Sequence, residues 1–271
     1  MHPFDTLLEL DEDYVRLDCA ALRLSDGMYR GLPFDLGLAL LDDLAGAVAD
    51  KRAGLSAPLR YAAMRDVLVV ERGFSGAPDY DRDARNFCLN HGLAQRTGAP
   101  VTLSVIWIEV ARRLKWPVSG VGWPGHFVVR FDDPDRFVLA DPYWEGVSLS
   151  LEDCRRRCCS TDGGQAALEL SDLRPMGKRG ILTRILNNLR AVHAAGGDGP
   201  RLRQTLLRLR AIEPDEPRHV RELAALEFRG GEPHTAIERV DRFLRAKPAA
   251  HRDTDLCQML AELRAGAALL N

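Results

Sequence analysis

The 271-residue chain has no long apolar segment. Nowhere does it approach the ~18 consecutive apolar residues that a membrane span requires. The first eighteen residues, MHPFDTLLELDEDYVRLD, are acidic and lack the basic and then apolar plan of a secretory signal. The formal net charge is only −2, so the overall charge favours neither nucleic acid nor a membrane surface as a partner. These features together predict a cytoplasmic protein.

Cysteines are few and show no regular spacing, which predicts reduced thiols rather than a disulfide framework. Three of them, Cys154, Cys158 and Cys159, cluster in the segment CRRRCC. Zinc sites usually show paired CxxC spacing, and no histidine lies close in sequence to this cluster. We therefore expect a partly buried helix with an arginine face here, with no metal and no cofactor.

The central part of the chain predicts an α+β core. Residues 1–95 are mostly helical in pattern, and a helix over residues 102–114 carries apolar side chains around so much of its surface that it should be buried. Three β-branched and aromatic segments follow, at residues 118–121, 126–131 and 137–140. A turn-forming Asp-Asp-Pro-Asp separates the last two. The pattern indicates a small antiparallel sheet packed on the buried helix.

An internal repeat occupies the C-terminal part. Gly196-Gly197 recurs as Gly230-Gly231, and Pro214 recurs as Pro248, both after 34 residues. This is the tetratricopeptide period, with glycine between paired helices and proline closing the second one. Two copies and a final helix bury little surface alone, so we expect Leu182, Leu186 and Leu189 to pack against the first domain.

These patterns divide the chain into three predicted parts. Residues 1–95 form the helical N-terminal part of the core domain, residues 96–175 the α+β core, and residues 176–271 the helical repeats.

One histidine and one aspartate stand at the ends of neighbouring predicted strands. His126 follows Pro124-Gly125 at the head of one strand, and Asp141 ends the next, fifteen residues later. An acid that orients an imidazole supplies two members of a nucleophilic triad. A structural histidine and an Asx-type strand terminator are the simpler alternatives.

The segment resembles the transglutaminase-like branch of the papain-type superfamily. More narrowly, it resembles the bacterial Sir-B-type invasion regulators, in which such a core is fused to tetratricopeptide-like repeats. The matching residues are Gly73-Phe74-Ser75-Gly76, Asp79-Tyr80, Arg85-Asn86, Gly98-Ala99-Pro100, Leu103-Ser104, Ala111-Arg112-Arg113-Leu114, Gly120-Val121, Pro124 to Arg130 and Asp141-Pro142.

The resemblance implies a fold with a missing nucleophile. In active transglutaminase-like domains the buried helix begins with Gly-x-Cys, about fourteen residues before its closing leucine. Gly98-Ala99-Pro100 stands at that place here, and the proline belongs to the narrower family's own pattern. A helix N-terminus is where a cysteine thiolate would be favoured.

Two other residues are candidate nucleophiles. Cys88 lies 38 residues before His126, within the range that transglutaminase-like enzymes use, but Phe87 and Leu89 flank it in a predicted helix spanning residues 83–94. A mid-helix thiol is typically a packing residue. Thr102 stands at the start of the buried helix, where helix capping is the commoner role.

Aromatic and basic residues indicate binding surfaces. Trp123 and Trp144 flank the His126 and Asp141 segments and, together with Pro100, would line a pocket for a peptide or small ligand; core packing is the alternative. Trp123 is the tryptophan expected to be partly exposed. The arginine-rich repeats would suit acidic tails or carboxylate termini of a partner, although a solvated face explains them equally.

Two hypotheses follow. The first is a non-catalytic transglutaminase-like and tetratricopeptide adaptor or regulatory protein that binds a protein or peptide partner. The second is a hydrolase or acyltransferase that uses Cys88 or Thr102 with His126 and Asp141. A pocket that contains Pro100 and lacks a thiol favours the first.

Overall fold

The computed structural model describes residues 3–51, 54, 56–162, 168–247 and 253–269. The chain forms two compact units, Met1–Asn188 and Leu189–Asn271. The three-part division inferred from the sequence stays a prediction. Within the described residues, no helix is both long enough and apolar enough to cross a membrane.

Helices dominate the first unit. They are α1 Pro3–Leu8, α2 Leu17–Leu24, α3 Phe34–Asp50, α4 Ala57–Arg65, α5 Leu89–Gln95, α6 Pro100–Arg113, α7 Leu151–Asp162 and α8 Lys178–Ala195, the last of which continues into the second unit. A π-helical turn, Asp66–Glu71, extends α4. Helix α6 begins at Pro100, where the fixed φ of proline suits a first helical position. Most of its residues are buried, as the apolar pattern predicts.

The sheet of the first unit is antiparallel and follows chain order. A two-residue parallel pair, β1 Ser75–Gly76 with β2 Thr97–Gly98, precedes it. The sheet itself consists of β3 Val118–Trp123, β4 His126–Asp132, β5 Phe137–Asp141 and β6 Val147–Leu149. The three predicted strands and the α+β class are confirmed. The fourth strand was not predicted, because three residues are too few to show an alternating pattern.

Both faces of the sheet are covered. One face packs on α6, where the Trp107 and Phe131 rings meet edge to face at 6.1 Å. Gly120 on β3 lies against the Phe127 ring: a Cβ at this position would be 2.6 Å from Cζ of that ring. The opposite face forms a separate apolar cluster of Val121, Trp123, Val128, Leu139, Cys154, Leu168 and Leu173. The sheet is therefore held between two apolar layers.

A buried ion cluster fixes α2 to α6. Asp18 is fully buried and accepts hydrogen bonds from Arg16, Arg112 and Arg113 at 2.9–3.0 Å. Glu109 accepts from Arg112 at 2.7 Å and from Arg113 at 3.0 Å. The Arg112-Arg113 pair at the end of α6 thus neutralises two buried acids, which explains this part of the sequence motif in structural terms.

The second unit consists of paired helices. They are α9 Gly199–Ile212, α10 Pro217–Arg229, α11 Pro233–Ala246 and α12 Thr254–Leu269. Gly197 (φ 66°) and Gly231 (φ 81°) turn the chain before α9 and α11, as the repeated Gly-Gly pairs predict. Ala236 and Val240 pack in the core of this unit. Pro248 lies outside the described residues, and assignment to the tetratricopeptide family stays a prediction.

Candidate functional site

The predicted bond between His126 and Asp141 is present. Nε2 of His126 lies 2.6 Å from Oδ2 of Asp141, between the first residue of β4 and the last residue of β5. The side chain of His126 is 12% exposed and that of Asp141 is fully buried. Gly125 adopts φ 79° in the turn before β4, a conformation that favours glycine. The short hairpin turn therefore sets the position of the imidazole.

Asp141 is held by four donors. Its Oδ1 accepts from the backbone amides of Tyr143 at 3.1 Å and Trp144 at 3.3 Å. Its Oδ2 accepts from His126 and from the guanidinium of Arg157 on α7. Because Nε2 of His126 bonds to Asp141, the other ring nitrogen, Nδ1, is left for a group on the opposite side. Arg157 is a site residue that the sequence did not reveal, since CRRRCC suggests only a solvated helix face.

His126 and Pro100 line the same pocket. It has a volume of about 110 Å³, and its walls are Tyr80, Pro100, Val101, Gly125, His126, Phe127, Arg184 and Asn188. Pro100 is the first residue of α6, the helix position at which the resemblance implies a missing cysteine. Within this lining, Tyr80 supplies the one hydroxyl group and no residue supplies a thiol.

Cys88 does not lie mid-helix, so the prediction of one helix over residues 83–94 was wrong. The residue has extended backbone angles (φ −96°, ψ 122°) between the 3₁₀ turn Ala84–Phe87 and α5. The predicted burial is confirmed, since Cys88 is only 1% exposed. Its Sγ lies 3.6 Å from the carbonyl oxygen of Ala84, and Cys88 is absent from the walls of the His126 pocket.

Thr102 joins two segments of the core. Its hydroxyl donates to the carbonyl oxygen of Asn86 at 2.8 Å, and the residue is buried. The expected capping role was wrong, because α6 starts two residues earlier and Ala99 occupies the N-cap position. The structure shows no hydrogen bond between Thr102 and His126 among the described residues.

Trp123 and Trp144 differ in their exposure to solvent. Trp123 is 3% exposed and belongs to the apolar cluster beneath the sheet, so its expected exposure was wrong. Its ring centroid lies 5.5 Å from that of His126, which it supports from the buried side. Trp144 is 57% exposed. Whether either residue binds a ligand stays a prediction.

Trp144 lines a second, shallower pocket of about 530 Å³. Its other walls are Ser75, Gly76, Pro78, Tyr143 and Glu145. The Tyr143 ring meets those of Trp144 and Tyr80 edge to face, each at 5.3 Å. Since Tyr80 lines the first pocket, the tyrosine pair connects the walls of the two pockets.

Arg184 of α8 completes the histidine pocket. Its Nη2 donates to the carbonyl oxygens of Trp123 at 2.8 Å and His126 at 3.0 Å, so it braces the turn between β3 and β4. Burial lowers the pKa of the Arg184 guanidinium below its ordinary value. No pattern in the sequence indicates this role, because α8 begins only at Lys178, long after the last strand of the sheet ends at Leu149.

No group of three or more histidine, cysteine or acidic residues within the described part of the chain could hold a metal ion. Burial raises the pKa of the Cys154 thiol to about 11, so it stays protonated at neutral pH. The side chains of Cys158 and Cys159 lie outside the described residues.

The fold and site together define a class of protein. An antiparallel sheet covers a buried helix, and the N-terminus of that helix faces a histidine bonded to an aspartate. Residues 37–187 match the model of the transglutaminase-like superfamily, and the chain belongs to that superfamily and to the UPF0162 proteins. A UPF0162 protein of Xylella fastidiosa strain Temecula1 is 32% identical over 252 residues, covering 92% of this chain and 90% of that protein.

Two other relatives are similar over part of the chain. A UPF0162 protein of Pseudomonas aeruginosa is 34% identical over 161 residues, covering 58% of this chain and 57% of that protein. The human F-box only protein 21 is 25% identical over 154 residues, covering 53% of this chain and 23% of that protein. No solved structure matches the chain.

Proposed function

We propose that the protein is a non-catalytic adaptor or regulatory protein that binds a protein or peptide partner in the cytoplasm. The observation that carries the proposal is the shared pocket of His126 and Pro100. Proline has neither a side-chain nucleophile nor a backbone N–H, so it cannot attack an acyl group. An orienting histidine then has no nucleophile to activate at this position.

The retained His126–Asp141 pair suits binding as well as it suits catalysis. Asp141 is buried with four donors, which makes the imidazole a rigid hydrogen-bonding group at the pocket wall. A rigid polar group in a pocket provides specificity at little entropic cost on binding. The pair therefore needs no reaction to explain its geometry.

The proposal that the adaptor includes tetratricopeptide-like repeats rests on the repeat pattern. The glycine pairs that recur after 34 residues, and the paired helices around them, support a tetratricopeptide-like region of the Sir-B type. Helical repeats provide surfaces for peptides. The similarity to F-box only protein 21 covers 23% of that protein, so a similar core also occurs within a much longer chain.

The alternative is a hydrolase or acyltransferase that uses Cys88 or Thr102 with His126 and Asp141. The intact histidine–aspartate bond favours it. Against it, Cys88 contacts the Ala84 carbonyl and Thr102 donates to the Asn86 carbonyl. Either residue would have to leave its present partner to reach the imidazole.

Chemical labelling of the native full-length protein tests the proposal. We expect iodoacetamide near neutral pH to label Cys88 slowly, because the thiol is buried, and a fluorophosphonate probe to leave Thr102 unlabelled. Peptide mass spectrometry measures both. Cys88→Ala should retain any cellular function. Rapid stoichiometric labelling of either residue, abolished by His126→Ala, would establish the enzyme instead.

A further inference from the structure

We propose that the pocket between His126 and Arg184 binds a carboxylate group of the partner. The inference rests on the proposed function, since it names the chemistry that a binding-only pocket would recognise. Arg184 supplies a guanidinium to the pocket wall, and the wall contains no aspartate or glutamate. A lining with a cationic group and no acid selects an anion.

Several N–H donors of Arg184 have no acceptor among the described residues. A guanidinium carries five N–H groups, and the two contacts to the Trp123 and His126 carbonyls both involve Nη2. Among the described residues, no ion pair to a carboxylate and no hydrogen bond from Nε or Nη1 is present for Arg184. The group is half-buried, so its charge is poorly compensated by water. A ligand carboxylate would supply the missing counter-charge in the bidentate geometry that guanidinium favours.

The acid behind the pocket wall already has partners. Asp141 lies behind the imidazole and is shared between His126 and Arg157. The N-terminal end of α6, which provides Pro100 and Val101 to the wall, adds the positive end of a helix dipole. In an active transglutaminase-like domain this end would face a thiolate. Here Pro100 stands at this position, so the chain supplies no anion at the N-terminal end of α6.

The size of the pocket limits the ligand. Its volume of about 110 Å³ is below the roughly 300–1,000 Å³ of typical small-molecule sites. The carboxylate end of a larger molecule suits a pocket of this size. The ligand is therefore the end of an acidic side chain or a peptide C-terminus, and Tyr80 and Asn188 offer it further polar contacts.

Titration of the ¹⁵N-labelled full-length protein by NMR tests the proposal. The probes are N-acetylglutamic acid α-amide, for a side-chain carboxylate, and N-acetylglycine, for a terminal one. N-acetylglutamine amide is the neutral control, and inorganic phosphate tests a general anion site. We expect shifts centred on the Arg184 Nε–H and the Gly125 and His126 amides with at least one carboxylate. The amide control should cause none.

Variants identify the contact. Arg184→Gln should weaken carboxylate binding about tenfold or more, as expected for loss of a charge-assisted bidentate contact, while Arg184→Lys should lose less. Arg82→Gln is the matched control, because Arg82 is 80% exposed, and it should bind normally. Urea unfolding checks that each variant folds. If Arg184→Gln unfolds, the affinity of Arg184→Lys and the chemical shifts of the wild type show whether Arg184 contacts the carboxylate.

Several results would overturn the inference: equal binding of the neutral amide, tighter binding of phosphate than of either carboxylate, unchanged affinity in Arg184→Gln, or no shifts at all. Any of these with slow labelling of Cys88 leaves the adaptor proposal in place. Rapid labelling of Cys88 that depends on His126 would refute the adaptor proposal, whatever the carboxylates do.

Discussion

Replacement of Asp141 by alanine should destabilise the first unit strongly. The carboxylate is fully buried and accepts four hydrogen bonds, two from backbone amides and two from His126 and Arg157. A neutral bond contributes about 0.5–1.5 kcal/mol and a charged one about 1.5–3 kcal/mol. Arg157 is 31% exposed and can regain water in the variant, which reduces the loss. We expect the free energy of unfolding to fall by about 3–5 kcal/mol.

Urea unfolding followed by tryptophan fluorescence measures this value. All four tryptophans lie between residues 107 and 144, so the signal reports on the first unit alone. Asp141→Asn keeps an oxygen for the two amides but loses the charge that faces Arg157, so it should cost about half as much. Asp42→Ala is the exposed control, because Asp42 is 68% exposed in its pair with Arg113, and it should cost under about 1 kcal/mol.

A loss below about 1 kcal/mol for Asp141→Ala would refute the reasoning, because the donors would then be satisfied without the carboxylate.

Further predictions use the same assay. Gly120→Ala should destabilise by about 1–3 kcal/mol, because its Cβ would lie 2.6 Å from the Phe127 ring, whereas Gly46→Ala in α3, with nothing within 4 Å, should stabilise by about 0.5–1 kcal/mol. Although burial opposes it, the arginines hold the pKa of Asp18 well below its usual range. Ionised Asp18 therefore contributes fully to the free energy of unfolding above pH ~4, and this contribution is lost as the pH falls. In Asp18→Asn the free energy of unfolding should consequently fall less steeply in acid. Burial and the nearby Asp18 raise the pKa of Glu109, which therefore loses stabilisation as the pH rises, and Glu109→Gln should cost less than Asp18→Asn at pH 7. The pKa argument would be contradicted if Asp18→Asn lost stability in acid as steeply as the wild type. It would also be contradicted if Glu109→Gln destabilised more than Asp18→Asn at pH 7.

The sequence predicted those parts of the site that depend on local pattern. The strands carrying His126 and Asp141 are rich in β-branched and aromatic residues and are bounded by turn residues, so their ends could be placed next to each other. The resemblance placed Pro100 at the start of α6, whereas the apolar pattern alone predicted a helix that begins at Thr102.

The parts that were missed depend on contacts distant in sequence. Arg157 and Arg184 reach the site from helices that follow the sheet, and an arginine on a helix looks like a solvated residue in any local pattern. Cys88 was predicted to lie within a helix because the sequence pattern does not reveal that its own extended backbone separates a 3₁₀ turn from α5. Trp123 was expected to be exposed because the residues that cover it, Cys154, Leu168 and Leu173, come much later in the chain.

Installing the missing nucleophile tests the central claim, that Pro100 occupies the nucleophile position of an otherwise ordered site. In Pro100→Cys the new thiol would stand at the first position of α6, beside His126. We expect it to react with iodoacetamide near neutral pH much faster than Cys88 in the same molecule, and His126→Ala to slow it about tenfold or more. Peptide mass spectrometry over a time course gives both rates. A thiol at position 100 that reacts no faster than Cys88, or one that is indifferent to His126→Ala, would contradict the account.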